Sequence, residues 1–320
     1  MSHIAYLFPG QGSQEVGMGA DLAAGSASAR SIFDQAAGIM GDGFKKLCFE
    51  GPEEDLRQTI NTQPALYATS CAALEALRER FTAPPFAVAG HSVGEYAALY
   101  AAGAMDFITG LKLVKRRAEL MHESASQHSG AMAAVLGMEP DVVRQICETA
   151  RTAGIISVAN YNSPGQVVIS GERAAVERAQ EVAKERGCKR FVMLPVSGAF
   201  HCPLMAQAGD TLYPYLRAAI FKNVNTPVVV NVTAEYCTSG VDFAPNLTMQ
   251  VSGSVRWEES MRLLLADGVD TFVELGSGAV LTGLMKRTDK SVKVISVKDM
   301  ASLEEAVGVL TNIEALEKTE

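Results

Sequence analysis

The chain reads as an α/β protein built on a mostly parallel sheet with a small inserted unit, and three features predict it. Short apolar runs alternate with helical segments over most of the length, as in a sheet covered by helices on both faces. A tight, glycine-bracketed turn, Gly90-His91-Ser92-Val93-Gly94, joins one apolar run directly to a helix. Residues 128–197 instead follow the order βαββαβ, that of a ferredoxin-like unit.

Taken in order, Ile4-Ala5-Tyr6-Leu7-Phe8 is the first strand, ending at Pro9-Gly10-Gln11-Gly12-Ser13-Gln14. That loop has neither the Lys-Ser/Thr of a phosphate-binding loop nor the spacing G-x-G-x-x-G. Helices are expected over 28–40, 53–59 and 64–81. Pro84-Pro85 isolates the strand Phe86-Ala87-Val88-Ala89, and helix formers follow the turn from Glu95 to Ala102. Asp106 is placed to cap a long helix over 107–124.

Strands at 131–138, 155–160, 166–170 and 190–196, with helices at 141–150 and 174–186, make up the inserted unit. The division expected is therefore 1–127 with 198–320 as the large domain and 128–197 as the insertion. Beyond it, helices are expected at 201–219, 256–266, 280–286 and 303–316. Strands alternate with them at 228–232, 271–275 and 292–297.

Apolar residues are 48% and charged residues 20% of the 320, the balance of a soluble globular protein. A net charge of −8 argues against a nucleic-acid surface spread over the fold. Neither an export signal nor an apolar run long enough to span a bilayer is expected. Cys48, Cys71, Cys147, Cys188, Cys202 and Cys237 are scattered without metal-ligand spacing, so reduced thiols in the cytoplasm and no metal are expected.

The context strand, sharp turn, helix makes Ser92 a candidate nucleophile and leaves the Val93 N–H at a helix start, where an oxyanion is favoured. A serine hydroxyl needs a base. Of the five histidines, His91 adjoins Ser92 but projects away from it in a tight turn. His3, His122 and His128 read as solvated. His201, where the chain re-enters the large domain, is either that base or a buried histidine satisfied by backbone.

Arg117 is the informative charge. With Leu111 at zero and about 100° per residue, Leu113, Val114, Ala118, Leu120 and Met121 form the apolar arc, and Arg117 falls within it near 240°. Burying an unpaired guanidinium costs several kcal/mol or more, so an anion is expected there, an internal Asp or Glu or else a substrate carboxylate. The Gln11 backbone could donate to an oxyanion or simply belong to a bend. The run Asn160-Tyr161-Asn162-Ser163-Pro164-Gly165 could be only a turn. Lys286-Arg287 and Lys189-Arg190 read first as solvated ends.

Taken together these stretches resemble the malonyl-CoA:acyl carrier protein transacylases of bacterial fatty acid synthesis. Phe8-Pro9-Gly10-Gln11-Gly12-Ser13-Gln14, Thr62-Gln63-Pro64-Ala65, the turn through Glu95, and Arg117 with Met121 carry the likeness. So do Asn160 to Gln166, Gly198-Ala199-Phe200-His201, Gln250, Val255-Arg256-Trp257 and Leu281-Thr282-Gly283-Leu284, in order and spacing across nearly the whole chain. Val93, Cys202 and Ser254 stand where Leu, Ser and Pro are common.

The resemblance implies a hydrolase-like α/β domain with an inserted ferredoxin-like one. It implies Ser92 as the acylated nucleophile, His201 as base, and the backbone carbonyl of Gln250 as the orienter of that base. The Val93 and Gln11 N–H groups would form the oxyanion hole, and Arg117 would bind the malonyl carboxylate. Phe200 would crowd the malonyl C2, and Met121, Gln63, Asn160 and Asn162 would line the substrate site. The expected partners are malonyl-CoA and an acidic acyl carrier protein, docked at a patch including Lys286 and Arg287. No cofactor, nucleic acid or membrane is expected, and the chain is expected to act as a cytoplasmic monomer. A serine hydrolase such as a thioesterase, and a non-catalytic carrier-binding module, are the alternatives. A generic hydrolase has no need of a buried cation at Arg117.

Overall fold

Phe8 and Gly90 pair at the carboxyl ends of two neighbouring parallel strands, and the loops that follow them build the site. The structure is a computed structural model that describes residues 4–196 and 198–317; His3 and Ser197 lie outside them.

The chain begins with β1 (Ile4–Phe8), followed by α1 (Ala20–Gly25), α2 (Ala27–Met40), α3 (Gly43–Glu50), α4 (Glu53–Leu56) and α5 (Thr59–Arg78). Next come β2 (Ala87–Gly90), α6 (Gly94–Ala102) and α7 (Phe107–Gln127). A second group holds β3 (Gly130–Leu136), α8 (Pro140–Ala150), β4 (Ile156–Ser163), β5 (Gln166–Glu172), α9 (Arg173–Glu185) and β6 (Arg190–Met193). The chain continues through α10 (Ala206–Ala218), β7 (Val228–Val229), β8 (Tyr236–Cys237), α11 (Gly240–Ser252) and α12 (Trp257–Ala266). It closes with β9 (Thr271–Leu275), α13 (Val280–Thr288), β10 (Lys293–Val297) and α14 (Met300–Glu317).

The first sheet has the order β10-β9-β1-β2-β7-β8 and is parallel except for the edge strand β8. Every residue of β1 and β2 is buried, which is why both read as unbroken apolar runs. Their side chains alternate between two cores. Tyr6, Phe8 and Val88 pack with α5 and α6, whereas Ala5, Leu7 and Ala89 pack with Trp257, Met261 and Leu284.

The second sheet is antiparallel, with order β4-β5-β3-β6. Period-two alternation splits β3 as well. Ala131, Ala133 and Val135 cover α8 and α9 in a core of their own, while Met132 and Ala134 face the main core. The second sheet thereby supplies one wall of the site.

Several elements depart from their expected bounds. The helix expected from Pro64 starts at Thr59, because Thr59, Thr62 and Gln63 are buried and the extra turn is held by packing. The helix expected from His201 begins only at Ala206, after a 3₁₀ turn over Pro203–Met205. His201 itself has φ 56°, a left-handed conformation that no helix contains. The strand expected over 228–232 pairs only at Val228–Val229 before the chain turns at Ala234, φ 56°. Sequence reading missed α11, where Pro245 and the flanking Gly240 and Gly253 mask a helix that buries Phe243, Leu247 and Val251.

Among the described residues no helix is long and apolar enough to cross a membrane.

Candidate active site

The elbow owes its shape to close approach. A Cβ on Gly90 would lie 2.0 Å from the Gly94 backbone, and one on Gly94 would lie 2.2 Å from Phe8 O. Only glycine lets the turn fold onto itself and onto the end of β1. Ser92 takes the left-handed conformation, φ 53°, a strained state for a residue with a side chain. Asn231, just beyond β7, holds that strain in place. Its Oδ1 accepts from Ser92 N–H at 2.8 Å and its Nδ2 donates to Gly90 O at 2.7 Å.

Ser92 Oγ lies 2.7 Å from His201 Nε2. On the other side of the ring, His201 Nδ1 is 2.8 Å from Gln250 O and 3.2 Å from Gly253 O. Both are acceptors only, which assigns the ring proton to Nδ1 and leaves the Nε2 lone pair to accept from the serine hydroxyl. Burial, with the Arg117 cation and His91 adding to it, pushes the His201 imidazole down to about 3. The ring is therefore neutral in the resting site. His91 points elsewhere, with Nε2 2.9 Å from Asn162 Oδ1 and its ring 5.4 Å from that of Trp257. His122 and His128 are exposed.

Arg117 is 1% exposed. Nη1 donates to Gln63 Oε1 at 2.6 Å, and Nη2 donates to Gln250 Oε1 at 3.0 Å and to Ser92 Oγ at 3.1 Å. Its guanidinium also lies 5.9 Å from the centre of the Tyr96 ring. The expectation that an anion must meet it is not realised within the chain. Among the described residues no carboxylate forms an ion pair with Arg117, and neutral oxygens hold it instead.

A cleft of about 170 Å³ joins these groups between the two sheets. Gln63, Arg117 and Met121 line it beside the elbow, and Met132, Asn160, Asn162 and Val168 face them from the second sheet. Phe200 lies next to His201 in its wall. Gln63 is fixed at its other end by Met121, whose Sδ accepts from Nε2 at 3.6 Å. Gln11 and Val93 line the same cleft as Ser92, and their N–H groups donate to no other described residue. Lys286 and Arg287 are exposed at the end of α13, whose Leu281 and Leu284 line the cleft. Arg287 Nη1 donates to Gln166 Oε1 at 2.7 Å, which ties this basic end to the cleft rim. Among the described residues no cluster of three His, Cys, Asp or Glu has metal-binding geometry.

A serine hydroxyl bonded to a neutral imidazole, with a buried guanidinium beside it in one cleft, is an arrangement suited to acyl transfer. The acyl transferase domain model matches residues 5–314, which span both sheets. The chain belongs to the acyl transferase family. It is 44% identical over 311 residues to the malonyl CoA-acyl carrier protein transacylase of Bacillus subtilis, covering 97% of this chain and 98% of that one. Among solved structures, an acyl carrier protein S-malonyltransferase from Vibrio cholerae is 42% identical with a TM-score of 0.92, over 95% of this chain and all 100% of that one. A type II PKS malonyl-transacylase in complex with its acyl-carrier protein is 40% identical with a TM-score of 0.93, over 96% and 99% of the two chains.

Two residues of this acyl transferase site were missed by sequence reading. Asn231 follows the apolar run Val228-Val229-Val230 and was absorbed into it, although a polar residue ending a buried strand is itself a signal. Glu95 reads as an ordinary residue of a first helical turn, yet it is buried. Its Oε2 accepts from Gln250 Nε2 at 2.7 Å and from Asn231 N–H at 3.1 Å. Burial pushes its carboxyl up to about 7 against those hydrogen bonds. Ser254 donates to Val158 O at 2.6 Å and fastens the loop after Gln250 to β4.

Proposed function

We propose that this chain moves the malonyl group from malonyl-CoA to the phosphopantetheine thiol of an acyl carrier protein, through a malonyl ester on Ser92. The observation that carries the reading is the buried Arg117, held by neutral oxygens beside Ser92, with no described acid in direct contact with it. A planar guanidinium so placed suits a carboxylate at the far end of a short acyl group.

In the first half-reaction the Ser92 Oγ attacks the thioester carbon as His201 Nε2 takes its proton. The N–H groups of Gln11 and Val93 stabilise the tetrahedral oxyanion, and each such donor is worth about 3–4 kcal/mol. The C–S bond then breaks, the proton passes from His201 to the departing CoA sulfur, and malonyl-Ser92 remains. In the second half-reaction the carrier thiol gives its proton to His201 and attacks the ester, and Ser92 Oγ leaves and regains the proton. Gln250 O and Gly253 O keep the Nδ1 proton in place throughout, so the ring presents the same nitrogen in both halves. Phe200 stands in the wall where a substituent on the malonyl C2 would lie. No metal or redox group is needed for these steps.

Residues 1–127 and 198–320 form the catalytic unit in this reading, and 128–197 is an insertion whose Asn160 and Asn162 complete the substrate site. The carrier docks against the exposed Lys286 and Arg287, and is that of fatty acid synthesis. The chain works as a monomer in the cytoplasm. Intact mass after incubation with malonyl-CoA tests the reading. A stable malonyl adduct on Ser92 that a thiol-bearing carrier discharges is the expected result. Rapid release of free malonate would indicate a hydrolase, and an unmodified chain a binding module.

A further inference from the structure

Gln250 works from both of its ends. Its backbone carbonyl accepts from His201 Nδ1, while its side chain runs the other way, to Arg117 and the elbow. The polarity of that side-chain amide is dictated by its surroundings. Nε2 is ringed by acceptors, with Glu95 Oε2 at 2.7 Å, Ser92 O at 2.9 Å and Asn231 Oδ1 at 3.5 Å. A flipped amide would set oxygen against these oxygens and N–H against the guanidinium, which has donors only. Oε1 therefore faces Arg117 Nη2, 3.0 Å away.

We propose that the neutral side chain of Gln250 is a spacer between Glu95 and Arg117, and so helps determine acyl specificity. It positions the guanidinium with one hydrogen bond while keeping the chain's own carboxylate one link away, so the cation's charge stays open to a substrate carboxylate. A carboxylate in direct contact with Arg117 would satisfy it from within, and an incoming malonyl group would have to displace or share that pair. Glu95 and Gln250 are positioning residues in this account, acting through Arg117. The proposal rests on Arg117 binding the malonyl carboxylate.

The test moves the charge without changing the number of acids. In the double variant Glu95→Gln/Gln250→Glu the acid touches Arg117, at the cost of the hydrogen bonds that Ser92 O and Asn231 N–H make to these two side chains in the wild type. The backbone carbonyl that holds His201 is untouched. The readout is the ratio of kcat/KM for Ser92 acylation by malonyl-CoA to that by acetyl-CoA, which general damage to the elbow would leave alone. The ratio is expected to fall at least about tenfold, mainly through the malonyl-CoA KM, as for loss of one charged contact. Gln250→Met, which removes the positioning hydrogen bond without adding charge, is expected to lower the ratio less. Arg117→Ala in the same assay separates the two claims. If Arg117→Ala leaves the ratio unchanged, the carboxylate role of Arg117 is wrong. If Arg117→Ala lowers it and the double variant keeps the wild-type ratio, the spacer is overturned. A wild-type ratio in Gln250→Met overturns the positioning hydrogen bond; should the double variant fail to fold, Gln250→Glu alone puts an acid on Arg117, and a wild-type ratio there overturns the spacer.

Discussion

Arg117 Nη2 donates to Ser92 Oγ at 3.1 Å, on the same oxygen that lies 2.7 Å from His201 Nε2. One hydroxyl thus has a neutral base on one side and a fixed cation on the other. In the proposed reaction the imidazole removes the proton, the guanidinium favours the alkoxide that develops, and the same guanidinium binds the carboxylate of the attached acyl group.

Replacing Arg117 by Ala should lower kcat/KM for malonyl-CoA by about a hundredfold, the usual scale for losing one partner of a desolvated charge contact. Acetyl-CoA should gain relative to malonyl-CoA, because it has no carboxylate to lose. Arg117→Lys keeps the charge but not the planar fork and should recover only part of the loss. Steady-state kinetics with the two acyl-CoAs measures all three effects, and an equal fall for both substrates would contradict the assignment.

The pH dependence follows from His201. Burial first, and Arg117 second, hold its pKa down to about 3 against an ordinary value of 6.5. Acylation of the free enzyme should therefore show no drop near pH 6.5, and the base should lose activity only toward its own lowered pKa. The same shift sets a stability trend. As pH falls from 6.5 toward 3, the unfolded chain protonates this histidine before the folded one does, so stability is lost over that window. His201→Gln should flatten the loss, as seen in the melting temperature across those pH values. Glu95, raised to about 7, contributes stability with the opposite slope, lost as pH rises through that value. Comparing wild type with His201→Gln therefore isolates the histidine.

Asn231→Ala should destabilise the fold by about 1–3 kcal/mol, the cost of leaving buried backbone groups unpaired. Ser92 N–H and Gly90 O would both lose their partner, and the strained elbow would lose its brace. Denaturant unfolding gives the energy, and the rate of Ser92 acylation should fall with it. An unchanged acylation rate would show that the elbow keeps its shape unaided.

Charge reversal at Lys286 and Arg287 should raise the KM for the acidic carrier while leaving acylation by malonyl-CoA alone, since both side chains lie outside the cleft. The effect should shrink as salt screens the exposed charges. Unaltered carrier kinetics would remove this end of α13 from the docking surface.

Local patterns were legible where one segment satisfies its own physics. The unbroken apolar runs of β1 and β2 are buried on both faces, Asp106 Oδ1 caps α7 by accepting from Thr109 N–H at 2.8 Å, and Arg117 lies on the apolar arc of that helix. The elbow was legible because its glycines are demanded by contacts within the turn and with the neighbouring β1. Helix α11 was not, since Pro245 and its flanking glycines speak against a helix that only packing under Phe243 and Leu247 maintains.

The partners of Arg117 mark the boundary. Periodicity along a single helix was enough to place a cation on a buried face, because the angle between residues depends on that helix alone. Which atoms would meet it could not be read there. Gln63, Ser92 and Gln250 are 54, 25 and 133 residues away along the chain, and three oxygens rather than one acid hold the guanidinium. The sequence alone determined the strand, turn and helix around Ser92 and the side of its helix on which Arg117 lies. Only the folding of α5, α6, α7 and α11 onto one another decided that this charge would be held by neutral groups, because convergence of distant segments depends on the whole core and not on any segment's own period.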